Sequence, residues 1–381
     1  MPDAARSRTL LLLLLGLTVG CQEPVSEADG DPTGPIWVVE DTPSLSIGAL
    51  EGDEEELFDA VADVALVADS VLAVLDSGWN RVRYYDLDGR LIETVGGTGQ
   101  GPGELERIQG SWVDARGRLG VIDEGQRRVT LYGPDGSFQD RPFPPDPTEP
   151  HEPLHLVGLQ DGVWVAFKEI LQPELPEGRS QLSRYARLLD DEEGVFVNQE
   201  AVELPATYWY ATPDGEGIRL PLSLSPRPRA EVRGNVAVVL DPDGTRVLVL
   251  GPERQWRELA LQGRCPPVPD VYFEAGEAGD ERREGIDRHV FQDVAPDCLP
   301  PYDHLSVTRD GRIWVRLTSS QEDDSESLDH WKVLEAAEGV VGRARLPEGF
   351  IPMAARDDVL FGRWIDSVGV HHVRGYRIAQ E

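Results

Sequence analysis

Two stretches of the chain decide its fold, VLAVLDSGWNRVRYYDLDG at residues 71–89 and RLGVIDEGQRRVTLYGPDG at residues 118–136. They align without a gap at an offset of 47 residues. Each contains an apolar run, a short polar turn and a second run with alternating apolar residues, which predicts a strand, a turn and a strand. Both end in Asp-Gly, which favours a hairpin turn. A repeat of this length with several strands per unit predicts a β-propeller.

Further copies extend the repeat along the chain. A third copy, NVAVVLDPDGTRVLVLGPE at residues 235–253, keeps Asp241 in the position of Asp76 and Asp123. We interpret these aspartates as hairpin residues, because each ends an apolar run at a turn. With the weaker copies there are six units, centred on residues 62–97, 108–143, 154–200, 218–262, 303–346 and 349–378. The prediction is an all-β protein in which residues 36–381 form a six-bladed β-propeller as one domain.

The first strand of this region and the repeated apolar runs suggest how the propeller is built. Residues 36–48 contain a lone strand, and we expect it to pair with the last blade around residues 370–378, since ring closure removes exposed sheet edges. We expect the apolar runs to be the inner strands along the channel: VLAVLD, LGVID, GVWVAF, VAVVLD, RIWVRL and VLFGRW. Their aliphatic and aromatic composition favours binding over catalysis, because catalysis needs titratable groups or metal ligands brought to one point.

The segment 95–136 resembles the NHL-repeat family, especially bacterial six-bladed β-propeller lipoproteins. The resemblance rests on a GxGPGEF-like loop at residues 99–105 and on Asn80-Arg81-Val82 in the preceding unit. It implies a fold and no activity. We interpret the loop as a wide turn between blades whose glycines take positive φ. The motif residues are Gly99, Gly101, Pro102, Gly103 and Glu104.

Residues 1–20 predict a bacterial lipoprotein signal peptide. Two arginines precede an apolar run, Leu10 to Leu17, that is too short to span a membrane. The following Thr18-Val19-Gly20-Cys21 resembles a lipobox, which implies lipidation at Cys21. An ordinary cleaved signal peptide is the alternative.

Residues 21–35 are polar, acidic and contain Gly and Pro, which predicts a flexible tether. Gln22 follows the cysteine, and by resemblance to lipoprotein sorting this favours the outer membrane, with the protein facing the periplasm. We therefore expect a bacterial cell-envelope protein that contacts the membrane only through its lipid anchor.

Two further cysteines, Cys265 and Cys298, lie within a polar, acidic insertion at residues 264–302. Export places them in an oxidising compartment, which favours a disulfide between them. Two free buried thiols are the alternative. A disulfide here limits the unfolded freedom of a segment that has little core of its own.

The charge of the chain limits its partners. It has 36 Lys+Arg against 69 Asp+Glu, a formal net charge of −33. A polyanion needs a basic face, so nucleic acid is excluded as a partner, and electrostatic adhesion to anionic lipid is disfavoured. A strongly negative surface attracts cations, which favours a basic protein or peptide.

Several short motifs resemble catalytic or metal-binding motifs. His151-Glu152-Pro153-Leu154-His155 is a literal HExxH, but Pro153 and the prolines before it predict an extended linker rather than the helix of a zinc protease. Residues 86–89 and 241–244 resemble calcium loops but lack the glutamate of an EF-hand, so we interpret them as turns. We interpret residues 321–329, QEDDSESLD, as a solvated loop. His371 and His372 alternate across a strand and cannot chelate one ion together.

These observations leave three function hypotheses. The favoured one is a lipid-anchored envelope propeller that acts as a binding or scaffold module for a protein, peptide or glycan. The second is a propeller hydrolase or lyase that depends on a metal in its channel, and the third is a structural subunit of an envelope complex. No catalytic residue, metal ligand or cofactor is predicted from the sequence, although a calcium or zinc ion in the channel stays compatible with it.

Overall fold

The computed structural model describes residues 34–144, 154–160, 162–169, 178–192, 195–197, 201–211, 217–219, 228–234, 236–250, 254–263, 265–268, 298–318 and 328–381. Within these ranges the chain forms β-strands and one short 3-10 turn, Glu54–Glu56, and no α-helix. No helix in this part of the chain is long and apolar enough to cross a bilayer.

The strands are short, as expected for a chain with frequent Gly, Pro and Asp turns. In chain order they are β1 Ile36–Val39, β2 Leu45–Ile47, β3 Val61–Ala68, β4 Val71–Asp76, β5 Arg81–Asp86, β6 Leu91–Gly96, β7 Ile108–Val113, β8 Leu119–Asp123, β9 Arg128–Tyr132, β10 Phe138–Pro142, β11 Leu154–Gln160, β12 Val163–Glu169, β13 Gly178–Asp190, β14 Val202–Ala211, β15 Gly217–Arg219, β16 Arg229–Arg233, β17 Val236–Leu240, β18 Arg246–Leu250, β19 Trp256–Ala260, β20 Tyr302–Val307, β21 Ile313–Leu317, β22 Leu328–Glu335, β23 Gly339–Pro347, β24 Ile351–Arg356, β25 Val359–Ile365 and β26 His371–Gln380.

These strands form six antiparallel meanders, the blades of a six-bladed β-propeller, as predicted. Blades one to five are β3–β6, β7–β10, β11–β15, β16–β19 and β20–β23, and blade six is β24–β26 with the N-terminal strands added. The first strands of successive blades contact one another around a central channel. The channel is therefore lined by β3, β7, β11, β16, β20 and β24.

The sequence repeat corresponds to the second and third strands of a blade. Residues 71–89 form β4 and β5, and residues 118–136 form β8 and β9. The turn between these strands needs a left-handed residue, which is Asn80 in blade one (φ 53°) and Arg127 in blade two (φ 50°). Asn tolerates this conformation better than most residues, which explains its place in the motif.

The prediction of the inner strands was wrong. The aliphatic runs VLAVLD, LGVID, GVWVAF, VAVVLD, RIWVRL and VLFGRW form β4, β8, β12, β17, β21 and β25, the second strand of each blade. A second strand is covered on both faces by neighbouring blades, so its residues are apolar on both faces. The strands that line the channel carry different polar residues at different positions, which makes their repeat harder to detect.

Ring closure occurs as predicted. β1 pairs with the end of β26, where Trp37 lies opposite Gln380, and β2 pairs with its beginning, where Leu45 lies opposite Gly375. β1 also pairs in parallel with β23 of blade five, with Ile36 opposite Arg343. The N-terminal segment thus joins two blades as well as completing the last one.

Blade three is longer than the sequence units suggest. β13 continues past its pairing with β12, and β14 and β15 extend the blade to Arg219, whereas the units placed its end at residue 200. Pro205 lies within β14 opposite Ser183, next to an irregularity in the register. In the sequence alone, a proline is evidence against a central strand. This explains why the predicted unit ended before β14.

The core lies between blades. Trp112 of blade two and Trp164 of blade three are both buried and pack edge to face, with ring centroids 5.2 Å apart. Each large aromatic buried between sheets contributes several kcal/mol, on the order of 3–5 when removed. The blades are therefore held together mainly by apolar contacts between neighbours.

The two ends of the channel differ in how the chain connects there. At the end we name the turn face, β3 joins β4 through residues 69–70, and β24 joins β25 through residues 357–358. At the other end, the loop face, the chain enters each blade, through residues 48–60 before β3 and 97–107 before β7. The connections that lead from one blade into the next therefore lie on the loop face.

Candidate functional site

A buried ion pair spans the central channel. Nη2 of Arg233, on β16 of blade four, lies 2.6 Å from Oδ1 of Asp63, on β3 of blade one. Ser111 of blade two donates its hydroxyl to Oδ2 of Asp63 at 2.6 Å. The side chains of Arg233 and Asp63 are only 7% and 2% exposed, so removing either one would leave an uncompensated buried charge.

A second carboxylate adjoins this pair. Oε2 of Glu231 lies 3.9 Å from Nη2 of Arg233 and accepts the backbone N–H of Val307, on blade five, at 2.9 Å. Burial raises the pKa of Glu231 to about 7, and Arg233 opposes this effect while Asp63 adds to it. Four blades thus contribute to one polar cluster in the channel, which the sequence analysis missed because it assigned the wrong strands to the channel.

A histidine lies in the same inner layer. The ring of His304 on β20 packs edge to face against Trp331, at 5.9 Å between centroids. Burial, followed by the charges of Arg229, Arg316 and Arg363, lowers the pKa of His304 to about 3. The imidazole is therefore neutral at physiological pH.

The two histidines at the start of β26 engage separate groups. Nδ1 of His371 accepts the backbone N–H of Val61 at 3.1 Å, and Nε2 of His372 lies 3.1 Å from Oδ2 of Asp366. The two side chains point to different partners, consistent with their alternation along β26. Among the described residues, no three His, Cys, Asp or Glu side chains are grouped so as to hold a metal ion.

A pocket of about 270 Å³ lies at the turn-face end of the channel. Five blades contribute to its wall: Leu66 from blade one, Val113 from blade two, Arg233 and Val236 from blade four, Arg309 from blade five and Met353 from blade six. The main chains of blades two and four meet beside it, where Gly234 donates its N–H to the carbonyl of Val113 at 2.8 Å.

The Gly-rich loop before β7 is tied to blade two. The backbone N–H of Gly101 donates to the Glu104 carboxylate at 2.7 Å, and the Tyr132 hydroxyl donates to the carbonyl of Gly103 at 2.7 Å. Gln126 also donates its side-chain amide to the carbonyl of Gly99 at 2.8 Å. The hydrogen bonds of the motif are thus directed inward, onto the blade.

The expectation of positive φ in this loop holds only in part. Of Gly99, Gly101 and Gly103, only Gly103 takes a positive φ, of 73°. The ring of Phe138 lies about 2.9 Å from the place where a Cβ would be at Gly103. Space as well as backbone conformation therefore requires glycine at this position.

The repeated aspartates do more than form hairpins. Asp123 accepts the backbone N–H groups of Glu106 and Arg107, at 2.9 and 3.0 Å, and so binds the segment that enters its own blade. Asp76 likewise accepts the N–H of Ala60 at 3.0 Å. Both carboxylates are fully buried. Their role is to fasten the loop-face connections, which a local reading of the repeat could not reveal.

The third aspartate keeps the local role that was expected. Asp241 accepts the backbone N–H of Asp243 at 3.0 Å and pairs with Arg246 at 2.6 Å. In the other calcium-like stretch, Asp86 accepts the N–H groups of Asp88 and Arg90 at 3.0 and 2.9 Å. Both stretches form turns.

An acidic segment on the loop face is exposed over its first six residues. Glu51–Asp59, which leads into β3, has six acidic residues and no basic one, and residues 51–56 are all exposed. Glu54 pairs with Arg81 at 2.8 Å, and the guanidinium of Arg81 stacks on the ring of Trp79 at 3.9 Å. Leu50, at the start of the segment, is 72% exposed.

Two more acidic stretches of the sequence lie between strands whose adjoining ends are on the same face. The chain between β19 and β20 contains nine acidic residues and three arginines at 269–297, and the chain between β21 and β22 contains four acidic residues and no basic one at 319–327. The strand ends that flank these stretches lie on the loop face, whereas the stretches themselves lie outside the described residues. Cys265 and Cys298, at the base of the longer one, are joined in a disulfide with a Cα–Cα distance of 5.6 Å.

Other predicted features lie partly or wholly outside the described residues. The signal peptide, Cys21 and most of the tether fall within residues 1–33, and His151, Glu152 and Pro153 also lie outside. Leu154 and His155 begin β11, opposite Lys168 and Phe167, so this half of the HExxH string is a strand and not a helix.

Comparison with known proteins agrees with the propeller architecture. A family described as a 6-bladed beta-propeller (DUF5128) matches residues 44–164. These residues cover blades one and two and the beginning of blade three. No curated protein matches the chain.

Two solved structures are similar along nearly their whole length. A protein of Bacteroides fragilis described as exported has 13% identity and a TM-score of 0.51, and covers 91% of this chain and 99% of its own. A member of the DUF4221 family from Bacteroides vulgatus has 12% identity and a TM-score of 0.52, and covers 90% and 99%. A streptogramin B lyase covers 91% and 98% at 9% identity, but its TM-score of 0.40 carries no functional argument. At these identities the likeness shows the fold alone.

Proposed function

We propose that this protein is a lipid-anchored β-propeller of the bacterial envelope that binds a basic protein or peptide on its loop face. The observation that carries the proposal is the exposed acidic run at residues 51–56, which lies beside the exposed Leu50 and the part-exposed Trp79. Acidic groups around apolar side chains suit a partner that offers lysines or arginines around an apolar residue.

Export and anchoring rest on the N-terminal sequence. The apolar run ends at Cys21, and the polar, acidic residues 21–35 that follow serve as a tether. The Bacteroides fragilis protein of similar fold is described as exported, which supports the same compartment. Lipidation at Cys21 followed by Gln22 would place the propeller at the outer membrane, facing the periplasm.

The charge distribution explains why the loop face is the binding face. The acidic stretches at 51–59, 269–297 and 319–327 all belong to connections that begin and end on this face. Loops on a rigid scaffold are the usual place for recognition residues. A field of one sign over one face also steers an oppositely charged partner toward it.

The test compares two triple variants with equal changes of charge. The loop-face variant is Glu51→Gln/Glu55→Gln/Glu56→Gln, and the matched turn-face variant is Asp69→Asn/Asp88→Asn/Asp357→Asn, which removes three carboxylates that are 96%, 79% and 81% exposed. Partners are crosslinked in intact cells, identified, and titrated against the purified full-length protein.

We expect the loop-face variant to bind the identified partner about tenfold more weakly and the turn-face variant to bind it normally. Binding by the unaltered protein should weaken as salt rises above about 0.15 M, because exposed charges are screened beyond about 8 Å at that ionic strength. Equal binding by both variants, or an affinity that does not respond to salt, would refute the proposal.

A further inference from the structure

The pocket at the turn-face end of the channel is lined by both charged and apolar residues. The charged ones are Asp114, Arg233, Arg309 and Asp310, and the larger apolar ones are Leu66, Val113, Val236 and Met353. Its volume, about 270 Å³, suits a small molecule rather than a peptide or a sugar chain. It lies at the opposite end of the channel from the acidic loop face, so it is independent of the partner proposed above.

Arg233 is held in place before any ligand arrives. Its Nη2 is bound to Asp63 at 2.6 Å, and the next residue, Gly234, is bound through its N–H to Val113. Its position beside the pocket is therefore fixed by contacts with blades one and two.

The charges around the pocket favour an anion. Among the carboxylates of the lining, Asp114 lies 2.7 Å from Arg118, and Asp310 lies 3.1 Å from Arg312, so each is neutralised by its own arginine. The remaining lining cation is Arg309, whose ion pair is with Asp69 at 3.7 Å. Asp69 is 96% exposed, and such a pair contributes little and competes weakly with a bound ligand.

We propose that this pocket binds a small organic monocarboxylate. The carboxylate pairs with Arg309, on the side of the pocket that Arg233 also lines, and the apolar body packs against Leu66, Val236 and Met353. A guanidinium is suited to bind a carboxylate. A dianion such as phosphate fits less well, because it would bring a second charge to a pocket with one weakly paired arginine.

The experiment uses 4-fluorobenzoate as the probe and 4-fluorobenzamide as its neutral isostere, both observed by fluorine NMR with the purified full-length protein. We expect the benzoate to bind with a dissociation constant on the order of 1 mM or tighter, and the benzamide to bind at least about tenfold more weakly. Benzamide binding as tight as benzoate binding would overturn the assignment of a carboxylate.

Three variants locate the binding. Ala115→Trp places a large side chain on the exposed rim of the pocket and should abolish benzoate binding, and Arg309→Gln should weaken it about tenfold. Arg116→Gln removes an exposed arginine of the same turn that does not line the pocket, and it should leave the affinity within about twofold. Thermal melts check that each variant is folded.

Absence of benzoate binding to the unaltered protein, or undiminished binding by both Ala115→Trp and Arg309→Gln, would overturn the proposal. None of these variants alters the acidic segment 51–56, so a failure here leaves the loop-face proposal untouched.

Discussion

The loop face and the turn face of this propeller are built from the same residue types in different ways. On the loop face, Asp123 accepts hydrogen bonds from the backbone N–H groups of Glu106 and Arg107, which lie 17 and 16 residues earlier in the chain. On the turn face, Asp114 accepts the N–H groups of Arg116 and Arg118, two and four residues away. The first carboxylate is fully buried, whereas the second is partly exposed.

This difference shows where the propeller allows variation. A turn closed by its own aspartate needs no other part of the molecule, so a short turn such as 114–118 is self-contained. A long connection needs a fixed point, and a buried aspartate at the end of the second strand provides one. The rest of the connection is not needed to hold the blade and can consist of exposed charged residues, as at residues 51–56.

The largest loss of stability is expected when the buried ion pair of Arg233 and Asp63, in the channel, is broken. Arg233→Met leaves Asp63 buried without its cation, and we expect the free energy of unfolding to fall by about 3–5 kcal/mol. Urea denaturation measures it. The double variant Asp63→Leu/Arg233→Met should recover most of the loss, because it removes both charges. A loss below about 1 kcal/mol in the single variant would contradict this account.

The contrast between the aspartates can be tested directly. Asp123→Ala removes the acceptor of two loop-face N–H groups, and we expect a loss of about 2–3 kcal/mol with faster hydrogen exchange at Glu106 and Arg107. Asp114→Ala affects only an exposed turn, and its loss should stay below about 1 kcal/mol. Equal losses would mean that burial and long-range bonding do not distinguish the faces.

The channel cluster should make stability depend on pH in two opposite ways. The folded protein holds the Glu231 proton up to pH about 7, against 4.5 for an ordinary glutamate, so this group's contribution to stability is lost as pH rises from about 4.5 to 7. The folded pKa of His304 is about 3, against 6.5, so its contribution is lost as pH falls below 6.5.

Two variants separate these contributions. Glu231→Gln should remove a decline of roughly 1–3 kcal/mol between pH 5 and 7.5. His304→Gln should instead remove a loss that appears below pH 6.5. Urea denaturation at a series of pH values measures both, and a Glu231→Gln profile parallel to that of the unaltered protein would show that Glu231 titrates normally.

The smallest effect is expected at the rim of the turn face. Arg309→Gln breaks an ion pair with a carboxylate that is 96% exposed, and we expect a change in unfolding free energy below about 0.5 kcal/mol. The same denaturation series measures it. A larger loss would show that Arg309 supports the fold. Weaker benzoate binding by Arg309→Gln would then not by itself locate the ligand, and the Ala115→Trp variant would decide whether benzoate binds in the pocket.

Much of the architecture could be predicted because its causes are local. The alignment of residues 71–89 with 118–136 identified β4, β5, β8 and β9, and the lone strand at 36–48 was correctly assigned to ring closure. The end of blade three was not predictable, since Pro205 occupies a strand only because an irregularity in the pairing accommodates it.

The channel was harder to predict than the blades. Residues such as Asp63, Ser111 and Glu231 follow no shared pattern, because each blade contributes a different group to the cluster. The repeat therefore drew attention to the second strands, whose apolar residues recur in every blade. A single polar residue within an otherwise apolar strand, such as Asp63 in β3, was the available signal.

The sequence by itself determined the number of blades, the closure of the ring and the concentration of acid in the loops, because strand periodicity, turn residues and charge act over a few residues. Tertiary structure alone decided which strands line the channel and that Asp63 meets Arg233, 170 residues away. It also decided that Asp123 fastens a loop and that Arg309 borders a pocket. Ring closure brings these groups together, and their burial, pairing and pKa depend on neighbours that are distant in sequence.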